Sequence, residues 1–401
     1  MCAALGALAG ASVGLAPAAM ASDTQSKEWY LTAMHADEMW KYSTGKGVKV
    51  AVIDGGVNPS TPSLKGQVLV DEVPKAASYG ATVDVDGHGT SMAEVIAGTG
   101  AGGGIKGLAP GAKIIPIRVQ SDEMKDSEQL KSATSAQAIR AAADTDAKII
   151  NMSYGSEYFD LDEEKALEYA ASKGKLLFAS AGNEATTGNK ASYPAADPHA
   201  IGVASIDKTG TVAKYSTHGN YVDLAAPGEN VPGWCDTTFT RYCNKQGTSP
   251  ASAIASASAA LIWSAHPDWT ADQVLRTLID TAGRDWPKKT PSNYLGYGVV
   301  RPRLVLSNKK IDPGPADEDP LAVENGVDAD SNAATPSLSA APPSSAKGES
   351  KGSGNATGPT SAAQETGSGG STQTWVIIGA AAAVLVIGGL GFAVLRSRRN
   401  T

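Results

Sequence analysis

A chain of 401 residues, 42% of them hydrophobic, is long enough for one large core with appendages. Its formal charge of −7 at pH 7 offers no basic face and so argues against nucleic-acid binding. Much of the excess is local, since nine acids stand against four lysines between residues 309 and 374.

Residues 1–21 are small and apolar and end in Ala19-Met20-Ala21, a small-x-small cleavage pattern that reads as a secretory signal peptide. No Lys or Arg precedes the apolar stretch, so a buried N-terminal helix remains the alternative. A short amphipathic piece follows over residues 28–40. Residues 48–53 (VKVAVI) are a continuous apolar, β-branched run, the mark of a strand buried on both faces. Similar runs recur at 113–119, 148–152, 175–180 and 200–205, with helical stretches at 129–143 and 162–172 between some of them. This alternation predicts an α/β fold, a mostly parallel central sheet flanked by helices. Such sheets bind ligands at the carboxyl ends of their strands, and Asp54, Ser153 and Asn183 all stand just past strand ends.

Cys235 and Cys243 share one loop, a plausible local disulfide in an oxidising compartment. A zinc site is the alternative, but no third ligand lies near. Gly247-Thr248-Ser249-Pro250 then opens an Ala- and Ser-rich run to Trp263 that reads as a buried helix. Pro250 suits its first turn, where the missing N–H has no helical partner to lose. A serine there is presented beside unpaired N–H groups, although a plain cap on a core helix uses the same residue.

The folded domain is expected over residues 22–308. From 309 to 374 no aromatic occurs, and Pro, Ala, Ser, Gly and acids dominate, the composition of a disordered linker. Residues 375–395 are uncharged and apolar, and about 21 residues suffice to cross a bilayer as a helix. Arg396, Arg398 and Arg399 in the 396–401 tail place that end in the cytoplasm and the long N-terminal part outside.

Three stretches combine chemically. Asp54 closes the strand in Ile53-Asp54-Gly55-Gly56, His88 lies within Asp86-Gly87-His88-Gly89-Thr90, and Ser249 opens the Ala-rich helix. Serine is a poor nucleophile until an imidazole takes its proton, and the imidazole needs a carboxylate to orient it. In this order, each with its flanking residues, the three stretches resemble the subtilisin-like serine proteases (subtilases), over roughly residues 29–306. The resemblance implies an endopeptidase in which Ser249 attacks, His88 acts as base and then acid, and Asp54 orients it. Ala179-Ser180-Ala181-Gly182-Asn183 resembles the family's oxyanion loop, with the Asn183 amide and the Ser249 N–H as donors. A turn residue after Gly182 is the other reading of Asn183.

Ser153-Tyr154-Gly155 resembles the segment that pairs with the substrate backbone. Asp84 and Asp86 are read as loop residues, too close in sequence to orient His88. No cofactor and no metal site is implied. Pro250 departs from the family, which commonly carries Met there. The layout of signal peptide, subtilase domain, acidic linker, membrane helix and basic tail, with the cysteine pair, is similar to the mycosins. These are membrane-anchored subtilases of type VII secretion systems. That resemblance implies secreted protein substrates, a catalytic domain outside the cytoplasm, and type VII secretion membrane components as partners. The alternative is a scaffold of a secretion complex whose protease activity is dispensable.

Overall fold

The computed structural model describes residues 24–326. Its first strand, β1 (Lys49–Asp54), places Val50 and Val52 in one core cluster and Ala51 and Ile53 in another. A strand covered on both faces has no use for polar alternation, which explains its unbroken apolar run. β1 pairs in parallel with β2 (Lys113–Arg118) on one side and β3 (Ile149–Met152) on the other. β4 (Leu176–Ser180), β5 (Ile201–Ile206) and β6 (Leu224–Pro227) extend the sheet in the order β2-β1-β3-β4-β5-β6, every pairing parallel. The chain winds from β1 to β2 and then back past β1 to β3, so the winding changes direction at β1. The crevice at the carboxyl ends of β1 and β3 is therefore the expected place for a site.

The sequence expectations cover five of these six strands. β6, Leu-Ala-Ala-Pro, lacks the β-branched run of the others and forms at the sheet edge, where Pro227 need not donate a ladder hydrogen bond.

Nine helices follow the short N-terminal turn among the described residues. They are α1 (Trp29–Ala33), α2 (Ala36–Met39), α3 (His88–Ala97), α4 (Asp126–Gln129), α5 (Ser135–Ala143), α6 (Leu161–Ser172), α7 (Thr248–Ala265), α8 (Ala271–Thr281) and α9 (Pro302–Ser307). The single helix expected over 129–143 is broken. Thr134 accepts from the Gln137 N–H while the Gln137 side chain accepts from the Thr134 N–H, and this reciprocal cap starts α5 afresh. α5 and α6 cover one face of the sheet. α7 lies against β3, β4, β5 and β6 on the other. Residues 248 to 263 of α7 are all buried, so the helix has no solvent face and its small side chains let it pass close to the sheet.

Both ends of the described chain pack onto this frame. Tyr30 is buried, the Trp29 indole donates to the Glu229 carbonyl, and the Trp40 indole donates to that of Leu108. Residues 309–326, placed by composition at the head of the linker, also pack on the domain. Leu321 is 2% exposed, Gln273 donates to the Gly314 carbonyl, and Asn325 donates to that of Pro198. One buried leucine and a few backbone bonds hold a segment too polar to make a core itself. The expected signal peptide, the rest of the linker, the apolar run at 375–395 and the basic tail lie outside the described residues. No described helix is long and apolar enough to cross a membrane.

Two buried carboxyl groups tie this frame together, Glu28 reaching it from the N-terminal segment. Glu28 accepts from the Lys106 N–H, and Glu94 on α3 accepts from the Thr61 and Tyr242 hydroxyls. Burial pushes Glu28 up to about 8 and Glu94 up to about 7, against those hydrogen bonds. Both values lie above the ordinary 4.5, so the native state holds more protons than the unfolded chain above that pH. Their stabilising contribution is complete below pH 4.5 and is lost as the pH rises through 7 and 8. The melting temperature should therefore fall between pH 6 and pH 9. It should fall less in Glu28→Gln, which keeps an acceptor for Lys106 but cannot ionise, and equal falls in the two proteins would contradict this account.

Candidate active site

β1 delivers Asp54 at its last residue, 5% exposed, with Oδ1 accepting from the Gly55 N–H at 2.8 Å. His88 opens α3 directly after Gly87, whose φ of +84° favours glycine. A Cβ on Gly89 would lie 2.2 Å from the Gly56 carbonyl oxygen and 2.9 Å from Asp54 Cβ. Only glycine there lets the start of α3 seat against the Asp54 loop. His88 Nδ1 consequently stands 2.9 Å from both carboxylate oxygens of Asp54. Burial works against the charged imidazole. The Asp54 charge and hydrogen bond, with Asp86 and Asp84 behind them, outweigh it and push His88 up to about 9. Asp84 and Asp86, expected as loop residues, both bond backbone N–H groups of the turn that carries His88.

Ser249 is the second residue of α7 and is 8% exposed. Its Oγ donates to the Ser153 carbonyl at 3.1 Å, and Ser153 Oγ donates back to the Ser249 carbonyl at 3.2 Å. The contact is anchored from below by Asn151, wholly buried in β3. The Asn151 amide nitrogen donates to Ser153 Oγ at 2.8 Å, and its oxygen accepts from Ser252 and Ser256 at 3.0 and 3.1 Å. Asn183 follows β4. Its Oδ1 accepts from the N–H and hydroxyl of Thr248 at 2.9 and 3.2 Å, which fixes the amide and keeps its NH2 as the donor end. Asn183 and Ser249 line the same cavity of about 360 Å³.

Asp54 and His88 line an adjoining cleft of about 900 Å³, and Ser153, Tyr154 and Gly155 wall both spaces. Among the described residues no hydrogen bond joins the His88 ring to Ser249. Such contacts commonly tighten only when substrate is bound. Asn151 and Thr248 have no role assigned from sequence. An asparagine within an otherwise apolar strand is a signal that could have pointed to the first, whereas the second stands in the Gly-Thr-Ser motif with nothing to tell its part.

The loop before α7 is a hairpin of β7 (Val231–Trp234) and β8 (Tyr242–Lys245), with a disulfide joining Cys235 to Cys243 across its end. The hairpin packs on α3 and leads into α7. The Trp234 N–H donates to Ser91 Oγ, which donates to the Gly87 carbonyl, and the Tyr242 hydroxyl donates to Glu94 on α3. Two residues beyond β8, the Gly247 N–H donates to the Gly228 carbonyl at 3.1 Å and bonds the Tyr215 hydroxyl at 3.0 Å. No cluster of three or more metal-type side chains occurs among the described residues.

A parallel sheet that gathers a carboxylate–imidazole pair and a helix-borne serine at its carboxyl edge is an α/β protein of the subtilisin-like fold. The chain belongs to the subtilase family of serine endopeptidases (peptidase S8), whose profile matches residues 45–298. It is 33% identical over 236 residues to thermitase of Thermoactinomyces vulgaris, covering 56% of this chain and 78% of that one. It is 30% identical over 348 residues to fervidolysin of Fervidobacterium pennivorans, covering 77% of this chain but only 47% of that protein's length. Among solved structures it is similar to the MycP3 protease from the type VII (ESX-3) secretion system. That likeness has 30% identity and a TM-score of 0.56, and covers 70% of this chain and 88% of the other.

The disulfide closes a short loop at a sequence separation of eight. Loop-closure entropy for that length gives about 2–3 kcal/mol of stabilisation. Denaturant titration of Cys235→Ser/Cys243→Ser should show a loss of that order, and an unchanged midpoint would contradict it.

Proposed function

We propose that this chain is a membrane-anchored serine endopeptidase acting outside the cytoplasm, with Asp54, His88 and Ser249 as its catalytic triad. The observation that carries the reading is His88 Nδ1, held 2.9 Å from both oxygens of Asp54 beside the cleft that leads to Ser249. With Nδ1 engaged, Nε2 is the nitrogen left to take the Ser249 proton. Ser249 Oγ exchanges its bond to the Ser153 carbonyl for the imidazole and attacks the scissile carbonyl carbon. The Asn183 amide and the Ser249 N–H stabilise the oxyanion. His88 then protonates the departing amine, and water, activated by the same imidazole, hydrolyses the acyl-enzyme. Ser153, Tyr154 and Gly155 supply the edge along which the peptide pairs.

Likeness to the MycP3 protease supports protein substrates handled by a type VII secretion system and contacts with its membrane components. The apolar run at 375–395 supports the anchor. A scaffold within such a complex, with dispensable protease activity, is the second reading. It is favoured by the bond between Ser249 and Ser153, which engages the serine hydroxyl with a backbone carbonyl instead of the imidazole.

A fluorophosphonate probe should label the wild-type chain strongly and Ser249→Ala and His88→Ala weakly. Equal labelling of all three would remove the protease reading and leave the scaffold. Because the base must be neutral to accept a proton, its raised value moves the acid limb of kcat/KM upward, from near 6.5 towards about 9. A pH–rate profile with that midpoint at or below 6.5 would contradict the geometry around His88.

A further inference from the structure

Asp84 is 6% exposed, and its carboxylate sits at the centre of the turn that carries His88. Oδ1 accepts from the N–H groups of Asp86 and Gly87 at 3.3 and 3.0 Å. Oδ2 accepts from the Thr90 N–H at 2.7 Å and the Thr90 hydroxyl at 2.5 Å. The four bonds grip the backbone on both sides of His88. They also reach the other loop of the site, because the Thr90 hydroxyl accepts from the Asn58 N–H at 2.9 Å, four residues beyond Asp54. The loops meet again where the absent Cβ of Gly56 would lie 2.2 Å from the Val83 carbonyl oxygen, immediately before Asp84. One buried carboxylate therefore binds the imidazole's turn and, through Thr90, the loop that leaves Asp54.

We propose that Asp84 is a positioning residue for His88, fixing the turn so that the imidazole meets Asp54 and adding a negative charge to those of Asp54 and Asp86 around it. This rests on the proposed triad. The charged groups around it are Asp54 on the β1 loop and Asp86 and His88 on the same turn. Burial pushes Asp84 up to about 6, against the pull of the Thr90 bonds and with the Asp54 and Asp86 charges, so above that pH it is ionised. Its charge then favours the imidazolium, as those of Asp54 and Asp86 do. A residue that served only to fold the loop would carry no such charge effect.

The test separates the two roles. Asp84→Asn keeps the side chain's shape, loses the charge, and has one acceptor oxygen where the carboxylate has two, so its NH2 must face either Thr90 or the Asp86 and Gly87 N–H groups. Thr90→Val removes the link to Asn58 and changes no charge. In Asp84→Asn, kcat should fall about tenfold with KM within about twofold. The acid limb of its pH profile should also move to lower pH, because an imidazolium with fewer neighbouring anions gives up its proton more readily. In Thr90→Val, kcat should fall while the acid limb stays in place.

A measurement independent of turnover uses full-length Ser249→Ala protein with 13C at the histidine Cε1 positions, His88 being assigned by the signal lost in His88→Ala. Adding Asp84→Asn should lower the NMR titration midpoint of His88 by about half a pH unit or more. An unchanged His88 midpoint together with an unchanged kcat in Asp84→Asn would overturn the proposal. Should Asp84→Asn not fold, judged by its thermal melt, an unchanged kcat in Thr90→Val overturns it instead. Failure of the wild type to label with fluorophosphonate would overturn the protease reading, and the NMR midpoint then decides the placement of Asp84 alone.

Discussion

Asn151 stands wholly buried in the middle of β3, where its amide cannot reach water. A buried polar group left without a partner costs about 1–3 kcal/mol, so the surrounding structure must supply the bonds. It does so with Ser153, just past the end of the same strand, and with Ser252 and Ser256 on α7. Those bonds fix the rotation of an otherwise featureless helix of small residues. Ser249 lies three residues before Ser252, nearly one turn, and so emerges at the carboxyl end of β3, facing Ser153. Apolar packing alone would let Ala and Ser slide past the sheet in several registers. The amide selects one.

The same economy governs the other half of the site. Asp54 and His88 come from elements far apart in sequence, and their loops interlock where glycines permit contact that any side chain would block. The disulfide hairpin then braces α3 through Ser91 and Glu94, and the chain runs on from it through Gly247 into α7. Asp54, His88 and Ser249 are thus held by neighbours such as Gly55, Asp86 and Asn151. Geometry this constrained is what preorganised catalysis requires.

Much of this was legible beforehand because it rests on strong, local patterns. The two-sided strands announced themselves as apolar runs, and a triad whose members each carry flanking glycines or small residues is recognisable in one dimension. Where patterns were weak, the sequence misled or stayed silent. The break before α5 depends on a reciprocal cap between Thr134 and Gln137, overridden in the reading by the helical look of its surroundings. β6 is held by its neighbour rather than by its own propensity. Residues 309–326 look like linker by composition, yet Leu321 secures them. Asp84 lies in the loop, as expected, and does not itself bond the imidazole; its bonds to the turn around His88 depend on folded loop geometry that no sequence spacing announces.

α7 is at once the centre of the core and the carrier of Ser249, and it is among the last large elements in the chain. Until it is in place, β3 to β6 lack their cover on one face and Asn151 lacks two of its partners. A chain still emerging from the ribosome before residue 265 thus has neither a finished core nor Ser249 at the cleft. Completion of the core and the seating of Ser249 beside the cleft therefore become one event.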